Sequence, residues 1–428
     1  MGSFSMIGKD NKEERGIIMF RKTIAMLLCA VMVMTVCAGC GNGKTEESAE
    51  DVKTEAESGE NTETAGTTET PEDVFAGLRD ALSDVEAVEE AVTIRYGDGV
   101  GYQLSVPIYM AYKSGILEDL GISLEWIPSA SGPLRVEALA AGEIDLFGSG
   151  IGGIAIGCAQ GSAMMLSYIN DDAVIQKFYV AGDDPLADKE VNDAGFTGSA
   201  DDWKGREVYM QAGSTLQYLL GHALGNIGLT LQDVECVYMD APNVNAAMFA
   251  GKGETWGVWN FQCYDAKLDE QGFVPVIQGY DVGINLATAY GTNETVWADA
   301  SKRAAIEKIL EVHYAIVDWM LASDENMEVA AQVLTEWGEA EGTAVPYEEN
   351  LAYLKETKYY TLEENYDFFT SEVENDNGTM VKALDLLMGI MDFYIEQGNY
   401  QESDREYMIE NQSTLFNSEG LDYVNSVR

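Results

Sequence analysis

From Val92 onward, short apolar runs alternate with stretches at helical spacing, and glycine closes most of them. Val92 to Tyr96 predicts a strand, the glycine-rich stretch Gly97 to Gly101 a loop, and the segment from Pro107 to Gly115 a helix. Ile122 to Ile127 predicts a second strand, and Pro133 opens a helix that runs to Ala141 and stops at Gly142. Ile144 to Phe147 predicts a third strand, Ile151 to Ala159 a helix after the loop Gly148-Ser149-Gly150, and Met164 to Ile169 a fourth strand. These strands are near-continuous apolar runs rather than alternating ones, the pattern of a parallel sheet covered on both faces.

A second series follows the acidic stretch Asp183 to Asp202. Glu207 to Met210, Val234 to Tyr238 and Thr255 to Trp259 predict strands, with helices over Leu216 to Ile227 and Val244 to Ala250. The run Ala138-Leu139-Ala140-Ala141-Gly142 before one strand is echoed by Ala247-Met248-Phe249-Ala250-Gly251 before another, which predicts two similarly wound lobes. The remainder reads as helical: Ser301 to Ala322, a stretch around Met327 to Trp337, and Thr379 to Gln397. The fold class is therefore α/β, two doubly wound lobes joined by a hinge, with a helical C-terminal part.

The N-terminus has a different character. Arg21 and Lys22 precede the uncharged apolar run Ile24 to Val36, which is short for a membrane span and reads as a signal peptide over residues 1–40, with Met19 the expected start. Ala38-Gly39-Cys40 resembles a lipobox, which implies a diacylated Cys40 and a membrane anchor; Cys37 stands where that motif usually has leucine. An ordinary secretory signal with an incidental Cys40 is the alternative. Residues 41–90 are rich in Glu, Thr, Ser and Gly, and such a chain buries too little apolar area to offset its conformational entropy. They read as a disordered acidic tether or, equally, as a solvated tail without a spacing role.

Charge and cysteines exclude several classes. A formal net charge of -48 with no basic cluster argues against nucleic acid as a partner. Beyond the signal only Cys158, Cys236 and Cys263 remain, an odd and scattered set that forms neither a disulfide framework nor a zinc motif, and no cofactor or metal site is expected. His313 falls on an apolar stripe with Ile306, Ile309, Leu310, Ile316, Val317 and Met320, and reads as a core histidine; His222 reads the same way. The chain lacks an evident catalytic constellation and is expected not to be an enzyme.

Ligands of open α/β sheets bind beyond the carboxyl ends of the strands. That rule selects Tyr102 and Gln103 after the first strand, Ser149 after the third, Ser214 and Thr215 at the head of a helix, and Asn243, Trp259 and Asn260 in the second lobe. Helix N-termini carry unpaired N–H groups and partial positive charge, so Ser149, Ser214 and Thr215 suit an anionic or polar head group; simple N-capping is their other role. Ser129 and Ser131 rank lower, and Trp126 and Trp256 read as packing residues. Asn170, Asp171 and Asp172 read as an ordinary turn, with a cationic ligand group the alternative.

Several segments together resemble the substrate-binding proteins of nitrate, sulfonate, taurine and thiamine-precursor importers, a branch of the two-lobed, type II periplasmic-type binding proteins. They are Ile108-Tyr109-Met110-Ala111-Tyr112-Lys113-Ser114-Gly115, Glu137-Ala138-Leu139-Ala140-Ala141-Gly142, Asp202-Trp203-Lys204-Gly205, Gly213-Ser214-Thr215 and Ala246-Ala247-Met248-Phe249-Ala250-Gly251. The family's glutamate and proline after the tryptophan are replaced by Asn260-Phe261-Gln262, so the pocket wall and the ligand are expected to differ. The resemblance implies lobe I over 91–177 and 287–428 and lobe II over 178–286. It also implies a monomer that captures a small-molecule solute and delivers it to an ABC importer permease. A surface sensor and a pyrimidine-forming enzyme are the competing functions.

Overall fold

A computed structural model describes residues 73–192, 195–260 and 263–428. The signal run, Cys40, the tether up to residue 72, and Phe261 and Gln262 lie outside the described residues.

Two sheets organise the chain. The first contains β1 (Val92–Asp98), β2 (Ile122–Pro128), β3 (Leu146–Gly150), β4 (Met164–Asp171), β10 (Ala287–Thr292) and the short β11 (Lys358–Tyr359), in the order β11-β4-β10-β3-β1-β2. The second contains β5 (Gln176–Ala181), β6 (Glu207–Met210), β7 (Glu235–Tyr238), β8 (Thr255–Trp259) and β9 (Phe273–Gln278), in the order β7-β6-β8-β5-β9. The chain thus passes to the second sheet over residues 172–175 and returns between Gln278 and Ala287.

Within each sheet the βαβ-connected strands are parallel: Tyr96 lies opposite Trp126 and Leu146, and Val208 opposite Cys236 and Thr255. The two strands that follow a crossing are antiparallel to their neighbours, β5 to β8 and β9, and β10 to β3 and β4. The sheets are mixed, where the apolar runs alone suggest wholly parallel ones. A strand that enters from the other lobe has no crossover helix to fix its direction.

The helices used below are α1 (Ala76–Ala81), α2 (Val106–Lys113), α3 (Gly132–Ala141), α4 (Ile151–Ala159), α5 (Thr215–Gly225), α6 (Ala241–Phe249), α7 (Ala300–Ala322), α8 (Asp324–Glu341), α9 (Tyr347–Glu356) and α10 (Lys382–Glu396). Pro133 lies in the first turn of α3, and Gly142, with φ of 73°, ends it in the left-handed conformation that glycine adopts without strain. Tyr109 of α2 stacks on Trp337 of α8 with ring centroids 3.9 Å apart, and Trp126 meets both edge-on, so the C-terminal helices close over lobe I.

Several elements depart from the sequence pattern. The third strand runs from Leu146 to Gly150 and takes in the glycines read as a loop, because Gly148 is crowded by Asp98, Tyr96 and Leu104 and only a residue without Cβ fits there. The helix expected from Thr379 begins at Lys382, after a hairpin of Glu372–Asn375 and Gly378–Val381. The packed chain also begins before residue 90. Leu78 and Leu82 are buried, Arg79 donates to the Ser114 carbonyl at 3.1 Å, and the Val88 N–H donates to Leu120 at 3.0 Å. The mean acidity of residues 73–90 conceals Phe75, Leu78, Leu82, Val85 and Val88, whose spacing of three or four supplies one apolar face.

His313 is buried in α7, its Nδ1 3.1 Å from the Tyr290 hydroxyl, and loss of solvent pushes its pKa down to about 3. A histidine held neutral contributes stability that is present above its unfolded pKa and lost as pH falls toward the folded value. Relative to a His313→Gln variant, urea unfolding of the wild type should lose stability on the order of 3 kcal/mol between pH 6.5 and pH 4. A difference that stays constant over this range would mean that the ring is charged in the folded protein.

Candidate functional site

The carboxyl ends of β1, β2 and β3 are tied together by one buried ion pair. Asp98 ends β1 and is fully buried; it accepts from the Tyr96 hydroxyl at 2.5 Å, Ser105 Oγ at 2.7 Å and the Gly99 N–H at 2.7 Å. Arg135, in the first turns of α3, pairs with Asp98 at 3.1 Å, donates to the Gly148 carbonyl in β3 at 2.6 Å and to the Ser129 carbonyl after β2 at 3.1 Å. Burial pushes the Asp98 carboxyl up, with Arg135 and the three donors pulling against that shift. The Arg135 Nε is buried and has no hydrogen-bond partner among the described residues.

Arg135 also faces a cleft of about 300 Å³ between the sheets, at the lower end of small-molecule sites. Lobe I lines it with Tyr102, Ser129, Ser131, Ser149 and Gly152 and Gly153 of α4; lobe II adds Gln211, Gly213, Ser214, Thr215 and Trp259. Arg135 is the one charged side chain among the described lining residues, although the sequence carries 73 acidic residues against 25 basic.

Four helix N-termini, those of α3, α4, α5 and α6, also open on this cleft. Ser131 caps α3 by accepting from the Leu134 N–H at 3.4 Å, and Ser214 caps α5 by accepting from the Gln217 N–H at 3.4 Å. Gly150 precedes α4 and supplies no capping side chain. α3 and α4 meet through glycines: a Cβ on Gly153 would stand 2.8 Å from the Gly132 Cα. Across the cleft a Cβ on Gly150 would lie 3.2 Å from the Thr215 methyl, so the heads of α4 and α5 are close neighbours. Converging N–H groups and helix dipoles favour an anion here.

Of the eight residues chosen from the sequence, Tyr102, Ser149, Ser214, Thr215 and Trp259 line the cleft. The other three do not. Gln103 is buried beside Tyr102, Asn243 is exposed on α6, and Asn260 is buried, its amide donating to the Tyr179 hydroxyl at 2.9 Å and to Asp265 at 2.6 Å. A one-residue step past a strand end turns a side chain to the other face, which strand-end reasoning cannot resolve. Ser129 and Ser131, ranked lower, do line the cleft, and Arg135 escapes the sequence reading altogether. Its only signal is position: a lone arginine one turn into a helix opened by Ser131-Gly132-Pro133. Trp256 is buried in its strand and Trp126 packs among aromatic rings, 4.9 Å from Tyr96.

At the first crossing, Asp172 receives the Tyr102 hydroxyl and the Asn170 amide, the latter at 2.9 Å. Asp171 accepts from the Ala173 N–H at 3.0 Å and the Leu286 N–H at 3.2 Å, so these residues form a turn that joins both crossing strands. Burial raises the Asp172 pKa to about 7, with the Tyr102 and Asn170 hydrogen bonds opposing that rise.

With this geometry in view, comparison with known proteins places the chain. A model of the NMT1-like family matches residues 100–335. The chain belongs to the NMT1-like family. A protein of Escherichia coli (strain K12) named for binding aliphatic sulfonates is 28% identical over 216 residues, which cover 49% of the chain and 62% of that protein. The chain thus matches less than two thirds of that relative's length. The alkanesulfonate-binding protein SsuA from Xanthomonas axonopodis pv. citri bound to MOPS aligns with a TM-score of 0.51 at 20% identity, over 64% of the chain and 88% of that structure. The periplasmic aliphatic sulphonate binding protein SsuA from Escherichia coli aligns with 0.51 at 20% identity, over 72% and 88%. The fold is that of the two-lobed periplasmic binding proteins.

A carboxyl whose folded pKa is raised contributes stability that is present below its unfolded pKa and lost as pH rises to the folded value. Asp172→Asn keeps a partner for the Tyr102 hydroxyl and removes the charge. The variant should gain a few kcal/mol on the wild type in urea unfolding between pH 4 and about pH 7, with no further change above. A pH-independent difference would show that Asp172 ionises normally in its buried position.

Proposed function

We propose that this member of the family is an extracytoplasmic solute-binding lipoprotein of an ABC importer. It captures a small oxyanion-bearing solute between its lobes and presents the closed form to the permease. One observation carries the ligand class: in a strongly acidic chain, the described cleft lining contains no carboxylate and one arginine, and four helix N-termini open on it. The relatives' sulfonate ligands support the same chemistry. An aliphatic sulfonate fits first and a nitrate-like anion second; a thiamine-precursor-like compound meets the same chemistry only as its phosphate ester. Trp259 and Tyr102 would flank the solute's carbon part, with Ser149, Ser214 and Thr215 at its head group.

Binding needs no chemistry beyond differential contact. A solute that touches both lobes stabilises the closed state by the contacts it lacks in the open one. The apolar run and Cys40 carry the proposed export and lipid anchor, and the protein works as a monomer at the cell surface, without a cofactor and without nucleic acid as a partner.

A thermal-shift screen with MOPS, ethanesulfonate, nitrate and matched cations tests the ligand class. A ligand at a hundred times its Kd adds roughly 2.7 kcal/mol to native stability, so only the anions should raise the Tm. For a sulfonate that binds, Ser214→Ala with Thr215→Ala should weaken titration affinity tenfold or more, because each hydroxyl bond is worth about 0.5 to 1.5 kcal/mol and more toward a charge. Trp259→Ala should weaken it through lost contact area. Unchanged affinity in both would remove the solute from this cleft.

A further inference from the structure

α10 lies beyond residues 100–335 that match the family, yet it touches both lobes beside the cleft. Toward lobe II, Phe393 fills the notch left by Gly221 on α5: a Cβ there would stand 2.9 Å from the ring's Cζ. Tyr218, one turn earlier on α5, packs on the same ring with centroids 5.5 Å apart, and its hydroxyl lies 2.7 Å from the position of a Cβ on Gly389 of α10. Two glycines, one on each helix, thus admit an aromatic ring from the other.

Toward lobe I, the next residue, Tyr394, is buried, and its hydroxyl lies 2.9 Å from the position of a Cβ on Gly152, in the first turn of α4. The Gly213 carbonyl, just before α5, lies 3.2 Å from that same position. Gly152 and Gly213 both line the cleft. The Tyr394 hydroxyl has no hydrogen-bond partner among the described residues. Consecutive side chains of one helix therefore meet α5 near its middle and α4 at its head, the two helices whose N-termini face each other across the site.

We propose that α10 is an interlobe strut and that Phe393 and Tyr394 are positioning residues, which set the gap between the heads of α4 and α5 before any solute arrives. Opening the cleft requires Phe393 to leave the Gly221 notch. The strut thereby biases the solute-free protein toward the closed arrangement, and α10 tunes capture and release without touching the solute.

The test uses no solute, so its failure is separate from any failure of the transport reading. Spin labels at exposed Glu143 in lobe I and Lys252 in lobe II report the interlobe distance by pulsed electron resonance, in a Cys236→Ser background. Phe393→Ala should add a longer-distance population that is absent from the wild type, and Phe393→Leu should largely restore the wild-type distribution. Gly221→Ala should lengthen the distance as well, because its methyl meets the Phe393 ring, while alanine is the better helix former and leaves α5 itself intact. Thermal unfolding of each labelled variant separates a shifted lobe from a loosened core. A wild-type distance distribution in both folded Phe393→Ala and Gly221→Ala would overturn the proposal.

Discussion

The buried pair between Asp98 and Arg135 is the constraint on which the rest of the site depends. Burying two charges is expensive unless each is satisfied by further hydrogen bonds, and removing one partner strands the other. Asp98 meets that condition with three donors besides Arg135, and Arg135 meets most of it by donating to the Gly148 carbonyl within β3 and the Ser129 carbonyl after β2, its Nε alone lacking a partner among the described residues. One guanidinium thereby fixes the relative positions of three strand ends. Once they are fixed, α3 and α4 are held with their first turns in glycine contact.

That contact decides the electrostatics of the cleft. Side chains at Gly132 or Gly153 would push the two helix heads apart and separate their N–H groups. Lobe II brings its own helix head, α5, close enough for the Thr215 methyl to pack near Gly150. The polarity of the cleft therefore comes mainly from backbone, which costs no reorganisation when an anion enters. It is also independent of the protein's overall negative charge, whose side chains are absent from the described lining.

The β-loop-α rhythm was legible because apolar runs and glycine stops are local signals. The strands β5 and β9 escaped it: Lys177 interrupts the apolar run of β5, Pro275 that of β9, and both strands take their place from pairing with distant segments. In the site, the hydroxyls at helix heads could be read because N-caps and ligand-binding groups share the same positions. Arg135 could not, since its role is defined by Asp98 and Gly148, which lie 37 and 13 residues away in the sequence. Gln103 and Asn260 follow the right strands but turn into the protein. The C-terminal helices offered only amphipathic spacing, and their contact with both lobes depends on where three glycines fall on helices of the two lobes.

The central claim is that fixed backbone dipoles and one arginine select an anion over a neutral solute of equal shape. Isothermal titration of the soluble domain with ethanesulfonate and with the near-isosteric, uncharged ethanesulfonamide tests it most directly. The account predicts at least tenfold tighter binding of the sulfonate, a difference of roughly 1.4 kcal/mol that narrows as salt is raised. Equal affinities, or a preference for the amide, would contradict it.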